Sequence, residues 1–150
     1  MKESPQDKKL EEMLRSSKLV SGGFMGSDTR SVSEIIDSDI AEISKSGFTT
    51  RQIAVRMKEI TNRAIPGLGN WAEIDNKRLV KVDEAKGSLV CPWPHPGRFA
   101  KRVTNVKVIE TGQIIKWSDL NIHLIEEHGF FEGRGAAFRI EPGELIEIIF

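Results

Sequence analysis

The sequence predicts an α+β fold in which an N-terminal helical hairpin packs on a small antiparallel sheet interrupted by one helix. Two observations predict it: amphipathic segments with capping signals lie before Gly69, and apolar, β-branched runs follow it. Helices followed by strands are typical of the α+β class. Because 150 residues suffice for one domain and are short for two, we expect a single domain over residues 9–150 and a disordered polar tail over residues 1–8.

The best-defined helices are predicted between residues 31 and 64. Ser31 with Glu34, and Thr49 with Gln52, form capping boxes that satisfy backbone N–H groups at each helix start. Apolar residues then recur at helical spacing on one face of each segment: Val32, Ile36, Ile40 and Ile43 in the first, and Ile53, Met57, Ile60 and Ala64 in the second. Since the connector around Gly47 is short, the two helices should pack as an αα-hairpin.

Weaker patterns predict the other elements. Helical composition indicates a first helix over Lys9–Leu19, and β-branched runs indicate strands at Arg78–Val82, Ser88–Val90, Arg102–Glu110 and Gln113–Trp117. The last two should form a hairpin about Thr111-Gly112. A helix from Ser118 to His128 would interrupt the sheet, and the remaining expected elements are a strand at Ala137–Ile140 and a short helix after Pro142.

Composition limits the function classes. The 22 basic residues balance the 22 acidic ones, so no global field draws the chain to nucleic acid or to an anionic membrane. No apolar run approaches the roughly 18 residues of a membrane span, and the N-terminus shows no apolar signal segment. A single cysteine excludes an internal disulfide. We therefore expect a cytoplasmic protein that does not bind membranes, with nucleic acid disfavoured as a partner; the sequence leaves the oligomeric state open.

One group of residues points to a bound metal ion. All three histidines and the only cysteine lie between residues 91 and 128. Thiolate and imidazole are the usual ligands of zinc, and four such groups complete a tetrahedron. Cys91 and His95 share a segment, here called the Pro loop (residues 91–97), in which prolines 92, 94 and 96 restrict the backbone. The sequence therefore predicts a divalent metal, with zinc as the first choice.

The second pair of histidines is spaced less simply. His123 and His128 lie roughly 140° apart around a regular helix. We therefore expect a site formed by Cys91, His95 and His123, with Glu127 or a water molecule as the fourth ligand. His128 would join only if the helix ended before it.

Ordinary structural roles compete with the metal hypothesis. His128 beside Gly129 is typical of a helix end, where the dipole favours a positive charge. His123 has acidic neighbours, as on a solvated helix face. Cys91 has the size and polarity of a buried apolar residue, and the Pro loop would serve equally as a rigid connector.

A catalytic hypothesis extends the metal site to a hydrolase of a small anionic substrate. Glu127 or Glu126 would take the proton from the attacking water. Glycines 129, 133 and 135 form a second loop, here called the glycine loop (residues 129–135), which would close over the substrate. The expected substrate contacts are Trp93, Arg98 and Arg134. The alternative is that the arginines decorate a sheet edge while Phe130 and Phe131 fill the core.

Two non-enzymatic functions remain as alternatives. One is a binding or regulatory module that uses the helical hairpin. The other is DNA binding, because Gly47–Met57 resembles the first helix of a helix-turn-helix unit. The resemblance covers about a dozen residues, and Pro66 leaves only Thr61–Ile65 for a recognition helix. A continuous helix over Thr50–Arg63 explains the same residues.

Overall fold

The computed structural model describes residues 4–20 and 22–150 and confirms the α+β class. In these residues the helices are α1 (Pro5–Arg15), α2 (Val32–Lys45), α3 (Thr50–Ala64), α4 (Asp119–His128) and α5 (Pro142–Ile149). The strands are β1 (Ala72–Asp75), β2 (Arg78–Val90), β3 (Arg98–Val108) and β4 (Ile114–Ser118). A short 3-10 turn, Ile65–Gly67, ends α3. None of these helices has the length and apolar character that crossing a membrane requires.

The sheet is antiparallel throughout, in the order β1-β2-β3-β4. The predicted hairpin about Thr111-Gly112 is confirmed, with Val106 opposite Ile115 in the β3–β4 pair. The two predicted strands at 78–82 and 88–90 are one strand, β2, whose pairing with β3 is irregular between Ala85 and Ser88. This long hairpin carries the Pro loop at its tip.

The main core lies between α3, α4, α5 and the sheet, and it includes the predicted residues Ile53, Met57 and Ile60. Trp117 of β4 is fully buried there, and its Nε1 donates to Thr61 Oγ1 at 3.0 Å. Thr61 and Thr104 share a further hydroxyl hydrogen bond of 2.6 Å. These polar contacts fix how α3 lies on the sheet, because a buried donor without a partner is costly.

The face that α2 buries differs in part from the predicted one: Val32 and Ile43 are buried as predicted, and Ile36 and Ile40 are not. Ile35 is fully buried, whereas Ile36 and Ile40 are only half-buried. Asp39 points inward and forms a buried ion pair with Arg139. Because Asp39 faces Arg139, the buried face of α2 is turned away from the stripe that contains only apolar residues. Helix α2 packs on α5, whereas α3 packs mainly on α4 and the sheet. The predicted packing of α2 against α3 as an αα-hairpin is therefore not the main contact of either helix.

Helix α1 begins earlier than predicted. Ser4 and Asp7 form a capping box, and the helix runs from Pro5 to Arg15 instead of from Lys9 to Leu19. Residues 5–8, expected in the disordered tail, are therefore helical, because the cap and the N-terminal proline favour a helix start. Residues 1–3 of that tail lie outside the described residues.

Two other expectations need correction or refinement. Ala137–Ile140 forms turns and no strand, so the sheet is complete before α4. Helix α3 is continuous from Thr50 to Ala64 and has no turn near Lys58. The helix-turn-helix geometry is therefore missing from the segment that resembled it.

Burial on α3 yields a test of the core. Ile53→Ala should lower the free energy of unfolding by about 2–5 kcal/mol, because a fully buried side chain leaves a cavity. Val55→Ala on the same helix is the control, since Val55 is 50% exposed, and it should change stability by less than about 0.5 kcal/mol. Denaturant unfolding measures both, and equal effects would mean that the buried face is wrongly assigned.

Candidate metal centre

Two elements bring the cysteine and the three histidines together. The Pro loop carries Cys91 and His95 from the β2–β3 hairpin, and α4 carries His123 and His128. One potential ligand atom from each residue lies within 4.8 Å of every other. The cluster of all four residues predicted from the sequence is therefore confirmed as a geometric group compatible with a metal ion.

Three of the six distances between the four ligand atoms are close to those of a tetrahedral site, and all six are within 4.8 Å. His95 Nε2 lies 3.2 Å from His128 Nε2 and 3.1 Å from His123 Nε2. Cys91 Sγ lies 3.4 Å from His128 Nε2. With zinc–nitrogen and zinc–sulfur bonds of about 2.0–2.3 Å, the edges of a tetrahedron measure about 3.3–3.6 Å. The three contacts are within a few tenths of an ångström of those edges.

Helix α4 supplies two ligands although the predicted angle between them argued against it. His128 remains the last residue of the helix, and its Nε2 still reaches the cluster. The angle of roughly 140° describes where the side chains leave the helix, whereas each imidazole extends several ångströms further and turns about χ1 and χ2. Gly129 ends the helix in the left-handed conformation, with φ +63°. The fourth residue of the cluster is thus His128, and Glu127 is exposed.

Hydrogen bonding sets the tautomer of His95. Its Nδ1 lies 3.0 Å from the carbonyl oxygen of Pro96, which can only accept. The proton of the neutral ring is therefore on Nδ1, and the Nε2 lone pair faces the other donors. Outer hydrogen bonds of this kind orient histidine ligands in metal sites.

Aromatic rings hold the other two imidazoles. Trp93 stacks on His128 with ring centroids 4.1 Å apart and planes 6° apart. Phe99 of β3 lies 4.4 Å from the His123 ring. Cys91 is only 7% exposed and belongs to a second apolar cluster that includes Leu120, Leu124 and Phe130. The donors therefore sit at the rim of a core, where their orientations are restricted before any ion binds.

The surroundings keep both α4 histidines neutral near pH 7. Burial, reinforced by His123 and His95, lowers the pKa of His128 to about 4. Burial and the neighbouring His95 also lower the pKa of His123. Burial raises the pKa of the Cys91 thiol, against a hydrogen bond from the Trp93 backbone. Neutral imidazoles are ready to bind a cation, whereas the thiol must lose its proton as the ion binds.

A pocket of about 260 Å³ adjoins His123. Arg102 crosses it and donates to Asp119 Oδ2 at 3.0 Å and to Glu84 Oε1 at 2.8 Å. The other oxygen of Asp119, Oδ1, is buried and has no hydrogen-bond partner in the part of the chain that the structure describes. Desolvation by burial raises the pKa of Asp119. The pocket therefore places the cations of Arg102 and Lys58 beside His123.

The structure separates the residues predicted for catalysis and substrate binding. Glu126 lines the pocket beside His123 but forms an ion pair of 2.8 Å with Lys58. Arg98 is exposed and donates to Ser88 Oγ, and Arg134 is exposed on the glycine loop. Neither arginine lines that pocket, and neither does Trp93.

Sequence reasoning did not identify Phe99 as a neighbour of His123, nor the contact between Arg102 and Asp119 beside it. Asp119 precedes His123 by four residues on α4, so helical spacing placed it on the same face. The contacts of Phe99 and Arg102 depend on how β3 crosses α4. No local pattern reports such a crossing.

The metal-free protein should lose stability as the pH falls from about 6.5 towards about 4. An unfolded histidine has a pKa of about 6.5, whereas His128 is lowered to about 4 in the folded chain. The unfolded state then binds more protons in this window, so acid favours unfolding. Chemical unfolding of chelator-treated protein at several pH values measures the slope. The His128→Gln variant should show a shallower slope, and identical slopes would contradict the assigned burial.

In comparisons with known proteins, no protein-family model matches this chain, and no curated protein or solved structure is significantly similar to it. The function is therefore inferred from the geometry of this chain alone.

Proposed function

We propose that this protein binds one zinc ion through Cys91, His95, His123 and His128, and that the ion is structural. The observation that carries the proposal is the convergence of four donor atoms within 4.8 Å of one another. Four protein ligands fill a tetrahedral zinc site and leave no position for substrate, which is the pattern of structural sites.

The donor set favours zinc among the divalent ions. Calcium and magnesium prefer oxygen ligands, whereas one thiolate with three imidazoles suits zinc. The Cys91 thiol has a raised pKa without metal, and a coordinated dication removes its proton. We propose the cytoplasm as the location, because its reducing conditions keep a lone thiol available for the ion.

The role proposed for the ion is to join the Pro loop to α4. The loop is the tip of a hairpin, and four of its residues from Pro94 to Gly97 are exposed. Few apolar contacts therefore hold that end of the loop. A coordinate bond from His95 would anchor it, in addition to the bond from Cys91 at the buried end. Metal binding to a site that the unfolded chain lacks adds directly to folding stability.

A hydrolase acting on a small anionic substrate is the second candidate. The pocket beside His123, which is lined by the Arg102 guanidinium and by Lys58, favours it. His95 is the most exposed of the four donors, so it is the ligand whose displacement would open a coordination position. Zinc with an open position supplies an activated water, and Arg102 and Lys58 would attract the anion. Glu126 would need to leave Lys58 to act as the base.

Metal analysis of the purified protein tests the proposal. We expect one zinc per chain after equilibration with a small excess of zinc and removal of the free ion. Cys91→Ser and His123→Ala should each weaken binding by more than the about 10–100-fold that is lost when an outer hydrogen-bond partner is removed. Both should also lower the unfolding temperature of the zinc-treated protein.

Glu127→Gln is the matched control, since Glu127 is exposed next to His128 and contributes no donor atom to the cluster. It should retain full zinc content. Replacement of zinc by cobalt separates the two candidates, because a closed site gives the strong visible absorption of four-coordinate cobalt with a thiolate band. A five-coordinate spectrum that changes when inorganic phosphate is added would favour the hydrolase. Zinc content that Cys91→Ser and His123→Ala leave unchanged would refute both.

A further inference from the structure

A second cavity lies away from the Cys/His cluster. It has a volume of about 550 Å³ and is bounded by strands β2 and β3, the start of α4, the glycine loop with the turns after it, and Leu19, Val20, Gly23 and Phe24. Its lining is mainly apolar and includes Leu19, Val20, Phe24, Leu89, Leu120 and Phe138. Cavities of about 300–1,000 Å³ with apolar walls and a few polar groups are typical small-molecule sites.

Glu132 is the buried carboxyl group in the wall of this cavity. It is only 5% exposed. Its backbone has φ +68°, a conformation that residues other than glycine rarely adopt. The backbone is held there because Arg139 donates to its carbonyl oxygen at 2.8 Å and Gly133 N–H donates to Phe24 O at 2.8 Å. The surrounding chain thus holds a strained residue that places a carboxyl group in an apolar wall.

The cap of α4 determines which oxygen of Glu132 is free. Asn121 Oδ1 accepts the backbone N–H of Ser118, so its Nδ2 must point the other way. That Nδ2 donates to Glu132 Oε2 at 2.6 Å. Oε1 accepts no hydrogen bond from the residues that the structure describes. It is therefore the oxygen that is open to a molecule in the cavity.

No salt bridge to Glu132 occurs within residues 4–20 and 22–150. The Arg139 guanidinium that contacts its carbonyl is held by Asp39 and Glu141. Burial raises the pKa of Glu132 to about 7, against the hydrogen bond from Asn121 and the charge of Arg139. A buried carboxylate without its own counter-charge is costly, so a cation delivered by a ligand would find a strong partner there.

We propose that this cavity binds a small molecule with an apolar body and a protonated amine, with the ammonium group donating to Glu132 Oε1. The charges at the rim agree with a cationic ligand. Glu84 and Arg102 line the cavity as an ion pair, which leaves Asp83 and Lys101 as opposite charges, so no net positive charge at the rim opposes a cation. This inference is independent of the proposed zinc site, because no zinc donor lines the cavity.

Binding of n-hexylamine and 1-hexanol to the zinc-treated protein at pH 8 provides the test. The two probes share an apolar chain, and the amine is protonated because alkylamines have pKa values near 10. Hydrogen bonds to a charged group contribute about 1.5–3 kcal/mol, or about 10–100-fold in affinity. We therefore expect calorimetry to show the amine binding at least about 10-fold more tightly than the alcohol.

Glu132→Gln should reduce the amine to the affinity of the alcohol and leave the alcohol unchanged. Glu110→Gln, an exposed carboxylate on the β3–β4 turn, should change neither. Ala85→Phe fills the cavity from an exposed position on β2 and should abolish both, which keeps the test decisive if Glu132→Gln does not fold. Equal affinities of the two probes for the parent protein, no binding of either, or amine binding that survives Ala85→Phe would overturn the proposal.

Discussion

The N-terminal cap of α4 is the interaction on which both sites depend. Ser118 Oγ accepts the Asn121 N–H, and Asn121 Oδ1 accepts the Ser118 N–H, so the helix starts at Asp119. The start point sets the phase of the helix, which turns about 100° per residue. That phase directs His123 and His128 towards the Pro loop. The same amide of Asn121 holds Glu132, so one cap orients groups in two separate places.

The Pro loop meets α4 through packing that does not depend on the ion. Trp93 stacks on His128 and lies 5.5 Å from the ring of Phe130, while Cys91 joins the second apolar cluster. This packing buries the rings of His123 and His128 beside other imidazoles, and both effects lower the pKa values of these two histidines. The arrangement costs little when the rings are neutral, and it becomes favourable when a cation shares their lone pairs. The stacking and the ion would therefore reinforce each other.

Sequence patterns correctly predicted the elements that depend on interactions between residues close together in the chain. Capping boxes at Ser31 and Thr49 and the β3–β4 hairpin depend on neighbours in sequence, and they were found. Clustering of cysteine and histidine predicted Cys91, His95 and His123, with His128 as a donor only if the helix ended before it. The fourth donor was uncertain because helical angle alone ignores side-chain reach. Part of the buried face of α2 was predicted wrongly because Asp39 pairs with Arg139, 100 residues away in sequence. The environment of Glu132 likewise depends on tertiary contacts, which no short sequence pattern records.

X-ray absorption of the zinc-loaded protein tests the central claim most directly, because it reports the atoms bonded to the ion. The account predicts one sulfur at about 2.3 Å and three imidazole nitrogens at about 2.0–2.1 Å, with no further ligand in the first shell. A first shell of nitrogen and oxygen without sulfur would contradict it, since Cys91 would then be an ordinary buried residue and the convergence of the four side chains would have another cause.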